Sequence, residues 1–399
     1  MAGLSSRALG RTTLARQHLI EPVPFAGAAS ALDLVTHLVG MQAQHPQSFY
    51  TGLFSRMTGF TPDGAAQVGE LLTSGELVRM AVMRSTIHLC TPADALAWRT
   101  SAQPVFDKEM RQVVRHRALA GVDLAALARR AIELLAPEPL TMAALGAELA
   151  QDFPGRPVES LGYAARNSLP VFQAPPRGVW GKAGATRLQL LPGGAPAAGL
   201  EERWFGERGP GSLPLGAAAD GGEIRDLIRR YLAAFGPASV QDVQRFTGLV
   251  RLAEITDQMR DLVRLKGQDT SRELLDIDGA ALPDEDTPVP ARLLYDYDNV
   301  LLSHDDRSRV IDPEVSARWP VVDNGVQHPA ILLDGRTAGY WALVRQGRGK
   351  PEDPAALVLT PLRKLRTGER PALRAEARRL LAFLAPGAGE RTVSFAVGN

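Results

Sequence analysis

Cysteine is nearly absent: Cys90 is the only one in 399 residues. A single thiol excludes a disulfide framework and any zinc or iron–sulfur site built on cysteine. It fits a reducing compartment, so a cytoplasmic location is expected. No apolar run reaches 18 residues, and the chain is not expected to span a membrane. The first twenty residues contain Arg7, Arg11 and Arg16 but lack the apolar stretch of a signal peptide. Net charge is +1, from 45 basic and 44 acidic side chains, which excludes a uniformly polybasic coat for nucleic acid. Any polyanion must therefore meet a local patch. Lysine is scarce as well, with only Lys108, Lys182, Lys266, Lys350 and Lys364 among those 45 cations, so arginine forks dominate. The glycine-rich dinucleotide fingerprint, the phosphate-binding loop, the H-E-x-x-H helix and the G-x-S-x-G elbow are all missing. No metal and no cofactor is expected.

What is present is globular. Apolar residues at 45% and charged residues at 22% sit near the averages of folded proteins, and the length suits two to three domains of about 150 residues each. Breaks fall at Gly121, across the Gly- and Pro-rich 192–222 stretch, and at 279–290, where Pro283, Pro288 and Pro290 mix with acids. Between them one pattern recurs three times: short helices, then two β-like runs around a turn. The first unit reads as helices over Ala31–Met41, Gln47–Met57 and from Thr61-Pro62, then strands Leu77–Met83 and Thr86–Cys90. The second has a helix capped by Thr141, another over 157–167, and strands Leu169–Gln173 and Thr186–Leu191. The third has helices Glu223–Phe235, Ser239–Phe246 and Leu252–Leu262, with strands Val263–Gln268 and Arg272–Ile277. Helix, turn, helix and a two-stranded wing make a winged-helix unit. The expected fold is thus α+β, with winged helix-turn-helix units over 1–120, 121–215 and 216–290. A small β-rich domain over 291–399 follows, with strand-like runs at Leu293–Leu302, 309–311, Ala330–Leu333, Tyr340–Val344 and Leu357–Leu362, a helix over 371–385 and a strand over 392–397.

Several residues carry the possible chemistry. Residues 160–190 hold Arg166, Arg177, Lys182 and Arg187 without a single acid, a candidate phosphate-facing surface. Trp180 lies at the expected tip of the second wing, placed either to stack on a base or to pack the hairpin. Arg84 precedes the strand that carries His88 in the first wing. Asp296 and Asp298, with His304, Asp305 and Asp306 nearby, read either as turn chemistry or as a metal cluster of a hydrolase.

The segment Gly40-Met41-Gln42-Ala43-Gln44-His45-Pro46 closes an apolar helix. In an ideal helix Gln42 and Gln44 would point roughly 200° apart. Pro46 disfavours helix at His45, so the helix should end about here. If the chain turns extended, both amides project to one side. Two such amides serve equally as a capping pair or as part of a site.

The Gln-Ala-Gln element resembles the QΦQ motif (Φ apolar) of the AlkZ/YcaQ-type winged-helix DNA glycosylases. Met83–Leu89, Gln173–Gly181, Arg230–Ala238 and Leu294–Arg309 are similar to further segments of that family, in order along most of the chain. The resemblance implies tandem winged helices forming a concave DNA-binding surface, and excision of alkylated purines with Gln42 and Gln44 at the active site. It also implies DNA contacts from His88, Asn299, His304 and Arg307, beside Arg84, Arg177, Trp180 and Lys182. Some relatives carry Asp at the second motif position. Gln44 implies the AlkZ side, associated with self-resistance to bulky alkylating and crosslinking natural products. The expected enzyme is a monofunctional glycosylase acting on cationic N7-alkylated guanine in double-stranded DNA, monomeric and without an obligate protein partner. The rival reading is a non-catalytic winged-helix DNA-binding regulator, since winged helices also serve that role.

Overall fold

The computed structural model describes residues 3–112, 114–205, 221–320, 328–347 and 350–396. The expected linker core at 206–220, the boundary at 215–216 and residue 397 of the expected last strand lie outside the described residues. Packing divides the chain into two compact units. One comprises Met1–Val68, Arg229–Arg245 and Arg260–Asn399, and the other Gly69–Ile228 and Phe246–Met259. Both mix helix and strand, as the patterning predicts.

In the first unit, Ser5 caps the helix Ser6–Arg16 by accepting from the Ala8 N–H. The helix Ala28–His37 ends four residues before the expected Met41. Its end is set upstream of Pro46: Val39 and Gly40 both take left-handed backbone, φ 56° and 75°, and turn the chain into the extended pair Met41–Gln42. Glycine adopts that geometry without penalty, but a β-branched valine rarely does. The next helix, Phe49–Arg56, packs through Gly52, where an added Cβ would lie 2.4 Å from Met41 Cε and 2.7 Å from the Tyr295 ring. That close approach is why no larger residue fits.

The C-terminal sheet forms with five strands in the order Arg292–Leu293, Ala330–Leu333, Arg336–Arg345, Ala355–Pro361, Arg391–Phe395. The last pair is parallel, and the helix Glu369–Leu384 makes the crossover that parallel pairing needs. This sheet shares a core with the N-terminal helices: Leu14 and Leu19 pack with Leu294, Val310 and Leu332, and Phe54 stacks on Phe383 at 4.9 Å. It is therefore part of one unit with residues 1–68 rather than a body of its own. The expected run Leu293–Leu302 leaves the sheet after Leu293, because Tyr297 takes left-handed backbone (φ 58°) and Asp298 caps a short 3-10 turn, Asn299–Leu301. Arg309–Ile311 likewise forms no strand.

All three expected hairpins form: Val78–Ala81 with Ile87–Cys90, Val171–Gln173 with Arg187–Leu190, and Leu262–Lys266 with Glu273–Ile277. The first two are not separate wings. Met80 pairs with Phe172, joining them edge to edge in one sheet of the second unit. Thr141 caps the helix Met142–Asp152 as expected, accepting from Ala144 N–H at 3.1 Å. That helix packs on Val158–Ser168 through Gly146 and Gly162, each facing a carbonyl of the other helix. The expected helix over Leu252–Leu262 shortens to Ala253–Thr256, since the chain must turn to enter the strand at Leu262. Among the described residues, no helix is long and apolar enough to cross a membrane.

Candidate active site

The Gln-Ala-Gln segment belongs to the first unit, and exposure separates its two amides. Gln42, in the extended pair, is 4% exposed, whereas Gln44 is exposed in the bend that follows. His45 is exposed as well. The extended stretch lies at Met41–Gln42 rather than at Ala43–Gln44, and it buries Gln42 while Gln44 is exposed.

A second segment of the same unit, 294–301, grips this one at two points and the following helix Phe49–Arg56 at a third. Asn299 Nδ2 reaches the carbonyl of Gly40 at 3.4 Å. Asp298 accepts two hydrogen bonds from Arg56, at 2.8 and 2.9 Å, in a pair buried on both sides. It also accepts from Val300 N–H at 3.0 Å, so its oxygens are saturated. Asp296 accepts a hydrogen bond from His45 Nδ1. The imidazole lies edge-on to Tyr297, with ring centroids 5.8 Å apart. Left-handed backbone occurs at Val39, just before the segment, and at Tyr297, against its His45 ring, strain of the kind that concentrates at functional sites.

Asp296 is the unusual member. It is 5% exposed, and its Oδ1 has no hydrogen-bond partner among the described residues. A buried carboxylate oxygen left unbonded costs about 1–3 kcal/mol. Spacing alone allows Asp296 and Asp298, with His304, Asp305 and Asp306, as metal ligands and marks no role for His45. The turn at Tyr297 sends the two acids to different partners, and among the described residues no three His, Cys, Asp or Glu side chains are placed to hold a metal ion. The available signal for His45 was its position directly after Gln44.

The other expected site residues distribute unevenly. His88, Asn299 and His304 are buried and serve the protein's own packing, which corrects their expected place on a DNA-facing surface. His88 Nδ1 meets the Thr86 carbonyl at 2.9 Å, and burial, with the nearby Arg84 charge, pushes its pKa down to about 3. His304 bonds the Phe235 carbonyl and the Ser303 hydroxyl at 3.1 and 3.0 Å. Burial, then Arg309, likewise pushes it down to about 3. Both rings are neutral near pH 7 and offer no charge to phosphate. Arg84 is half-buried; its guanidinium donates to the Phe246 carbonyl and lies 5.4 Å from that ring, which braces the turn Met83–Ser85. Arg177 also turns back, donating to Gly184 O at 2.9 Å across the tip of the second hairpin. Trp180 on that tip is half-buried, and Lys182, Arg187 and Arg307 are exposed. Arg166 pairs with Glu109 at 3.7 Å, so the acid-free stretch keeps Lys182 and Arg187 as its outward cations.

Comparison with known proteins gives a consistent picture. Residues 35–383 match the family described as DNA glycosylase AlkZ-like. Among solved structures, the fold is similar to that of Streptomyces sahachiroi DNA glycosylase AlkZ. The TM-score is 0.71 at 19% sequence identity, over 99% of this chain and 100% of that one. At that identity the likeness speaks to the fold alone. No curated protein matches.

Proposed function

The chain belongs to the AlkZ-like DNA glycosylase family, and on that premise we propose that this DNA glycosylase hydrolyses the N-glycosidic bond of guanine alkylated at N7 in duplex DNA. Gln42 and Gln44 carry the reaction, and the helices and hairpins of the fold present the DNA. Trp180, Lys182 and Arg307 serve as the contacts to the duplex. Gln44, in the place where some relatives carry Asp, supports bulky adducts and crosslinks as the lesions, and self-resistance as the role.

The chemistry follows from the leaving group. A glutamine amide does not titrate near neutrality and cannot act as an ordinary general base. Guanine alkylated at N7 already carries positive charge, so it departs without being protonated. The sugar then develops the oxocarbenium character familiar from glycoside hydrolysis. Fixed amide dipoles that orient water and stabilise that charge supply what remains. The supporting observation is that Gln44 is exposed in the bend after the extended pair Met41–Gln42.

The test is single-turnover release of 7-methylguanine from duplex oligonucleotides, scored as alkali-labile abasic sites. Wild-type protein should release the base, and Gln44→Ala should bind the same DNA but release it far more slowly. A wild-type protein that leaves no abasic sites overturns the reading, and Gln44→Ala at the wild-type rate removes the amide mechanism.

A further inference from the structure

Beside the motif, a buried acid holds a solvent-facing ring. Asp296 holds His45 through Nδ1, although the two lie 251 positions apart in the chain. An ionised carboxylate only accepts, so the hydrogen of that bond resides on Nδ1. With that hydrogen on Nδ1, Nε2 is the ring nitrogen left to offer its lone pair. The His45 side chain is 53% exposed while Asp296 is 6% exposed, so the acid is sequestered and the imidazole meets solvent. A carboxylate that fixes the tautomer and a histidine that faces outward form a base with its orienting group. His45 directly follows Gln44, on a segment anchored at Gly40 by Asn299.

We infer that His45 is a further catalytic residue of this glycosylase, accepting through Nε2 the proton of the attacking water, with Asp296 as its positioning residue. The inference rests on the glycosylase reading above. Water oxygen bonds to C1′ of the damaged nucleotide as the C1′–N9 bond breaks. The electron pair of that bond departs with the base and neutralises its cationic ring. The water proton passes to Nε2, and the imidazolium later releases it to solvent. The amides of Gln42 and Gln44 orient the water and sugar, and His45 takes the proton. The described groups that face the imidazole are Asp296 and Tyr297 from the 294–301 segment. Behind them Asp298 and Arg56 neutralise one another.

The experiment measures single-turnover release of 7-methylguanine from duplex DNA between pH 5 and 9, with lesion-DNA affinity measured in parallel. Wild-type rates should fall on the acid side along a single ionisation. His45→Gln should bind lesion DNA as wild type does, lose that acid limb, and react more slowly at pH 8 by about 10²- to 10⁴-fold. Asp296→Asn should slow release as well, since an amide can donate to Nδ1 and leave the hydrogen on Nε2. Added imidazole should restore part of the rate to His45→Gly but none to Gln44→Ala. If wild type releases base while His45→Gln matches it in rate and pH profile, the inference is overturned and the glycosylase reading stands. If wild type releases none, both fall together.

Discussion

Two regions each bury a carboxylate, and they treat it differently. In the second unit Asp107, fully buried on the helix Gln103–Gln112, has both oxygens satisfied. Gln103 Nε2 and Trp204 Nε1 donate to Oδ1 at 2.7 and 2.9 Å, and Arg203 to Oδ2 at 2.9 Å. In the first unit Asp296 is buried nearly as deeply, yet one oxygen goes unbonded and the other holds an exposed histidine. A saturated carboxylate ties elements together. An unsaturated one beside a solvent-facing histidine keeps a buried acceptor unbonded and is available to orient that ring. The difference separates groups that build the fold from groups that use it.

The largest expected effect breaks the comparison from the structural side. Asp107→Ala leaves Arg203 without its buried counter-charge, so stability should fall by about 3–5 kcal/mol, read as a lower urea midpoint. Asp298→Ala should behave alike, stranding Arg56. Asp296→Asn should shift the midpoint far less, because the amide still bonds the same half-exposed imidazole and strands no buried counter-charge. A midpoint for Asp296→Asn as low as that of Asp107→Ala would erase the distinction.

From the catalytic side, Gln44→Ala should slow excision by about 10²- to 10³-fold, the usual effect of losing one preorganised dipole. Its urea midpoint should stay near wild type, since Gln44 is exposed. Gln42→Ala should lose both rate and stability, because that amide is buried. Equal midpoints for the two variants would contradict the split in exposure.

Acid sharpens the same contrast through the buried histidines. His88 and His304 are held near pKa 3 when folded, against about 6.5 unfolded. Between those values the unfolded chain binds more protons, so stability is fully present above about pH 6.5 and is lost as pH falls toward 3. Each ring contributes a slope of up to about 1.4 kcal/mol per pH unit in that window. Urea titrations at pH 7, 6 and 5 should show the decline, and His304→Gln should flatten it. A flat profile in wild type would place both rings in contact with water.

Much of this fold can be read along the chain, because local rules operate there. Three hairpins appear where alternating apolar residues meet turns, and Thr141 caps where a cap was expected. The misreadings all involve contacts between distant residues. Nothing local at Val39 announces left-handed backbone; the packing of Gly52 on Met41 and Tyr295 accompanies it. Met80 and Phe172 are both ordinary strand residues, and only their pairing fuses two hairpins into one sheet. The site divides the same way. Gln42 and Gln44 are visible as a motif, whereas burial of His88, Asn299 and His304 depends on neighbours that resemblance does not supply. His45 and Asp296 become a pair only when the turn at Tyr297 separates Asp296 from Asp298. Sequence order shows neither event.

The smallest expected effect concerns the outward cations. Lys182 is exposed on the second hairpin's tip, whereas Arg177 beside it donates inward to Gly184. A lysine that contacts one phosphate releases about one counterion, so Lys182→Ala should make the salt dependence of DNA affinity shallower by about 0.9 in log–log slope. Damaged and undamaged duplexes should weaken equally, because a phosphate contact carries no lesion information. Arg177→Ala should instead loosen the hairpin tip, lowering affinity with little change in slope, since its guanidinium is already engaged. Salt titrations of both variants separate the two roles. A slope unchanged by Lys182→Ala would remove that side chain from the DNA surface and leave Arg307 to be tested in the same way.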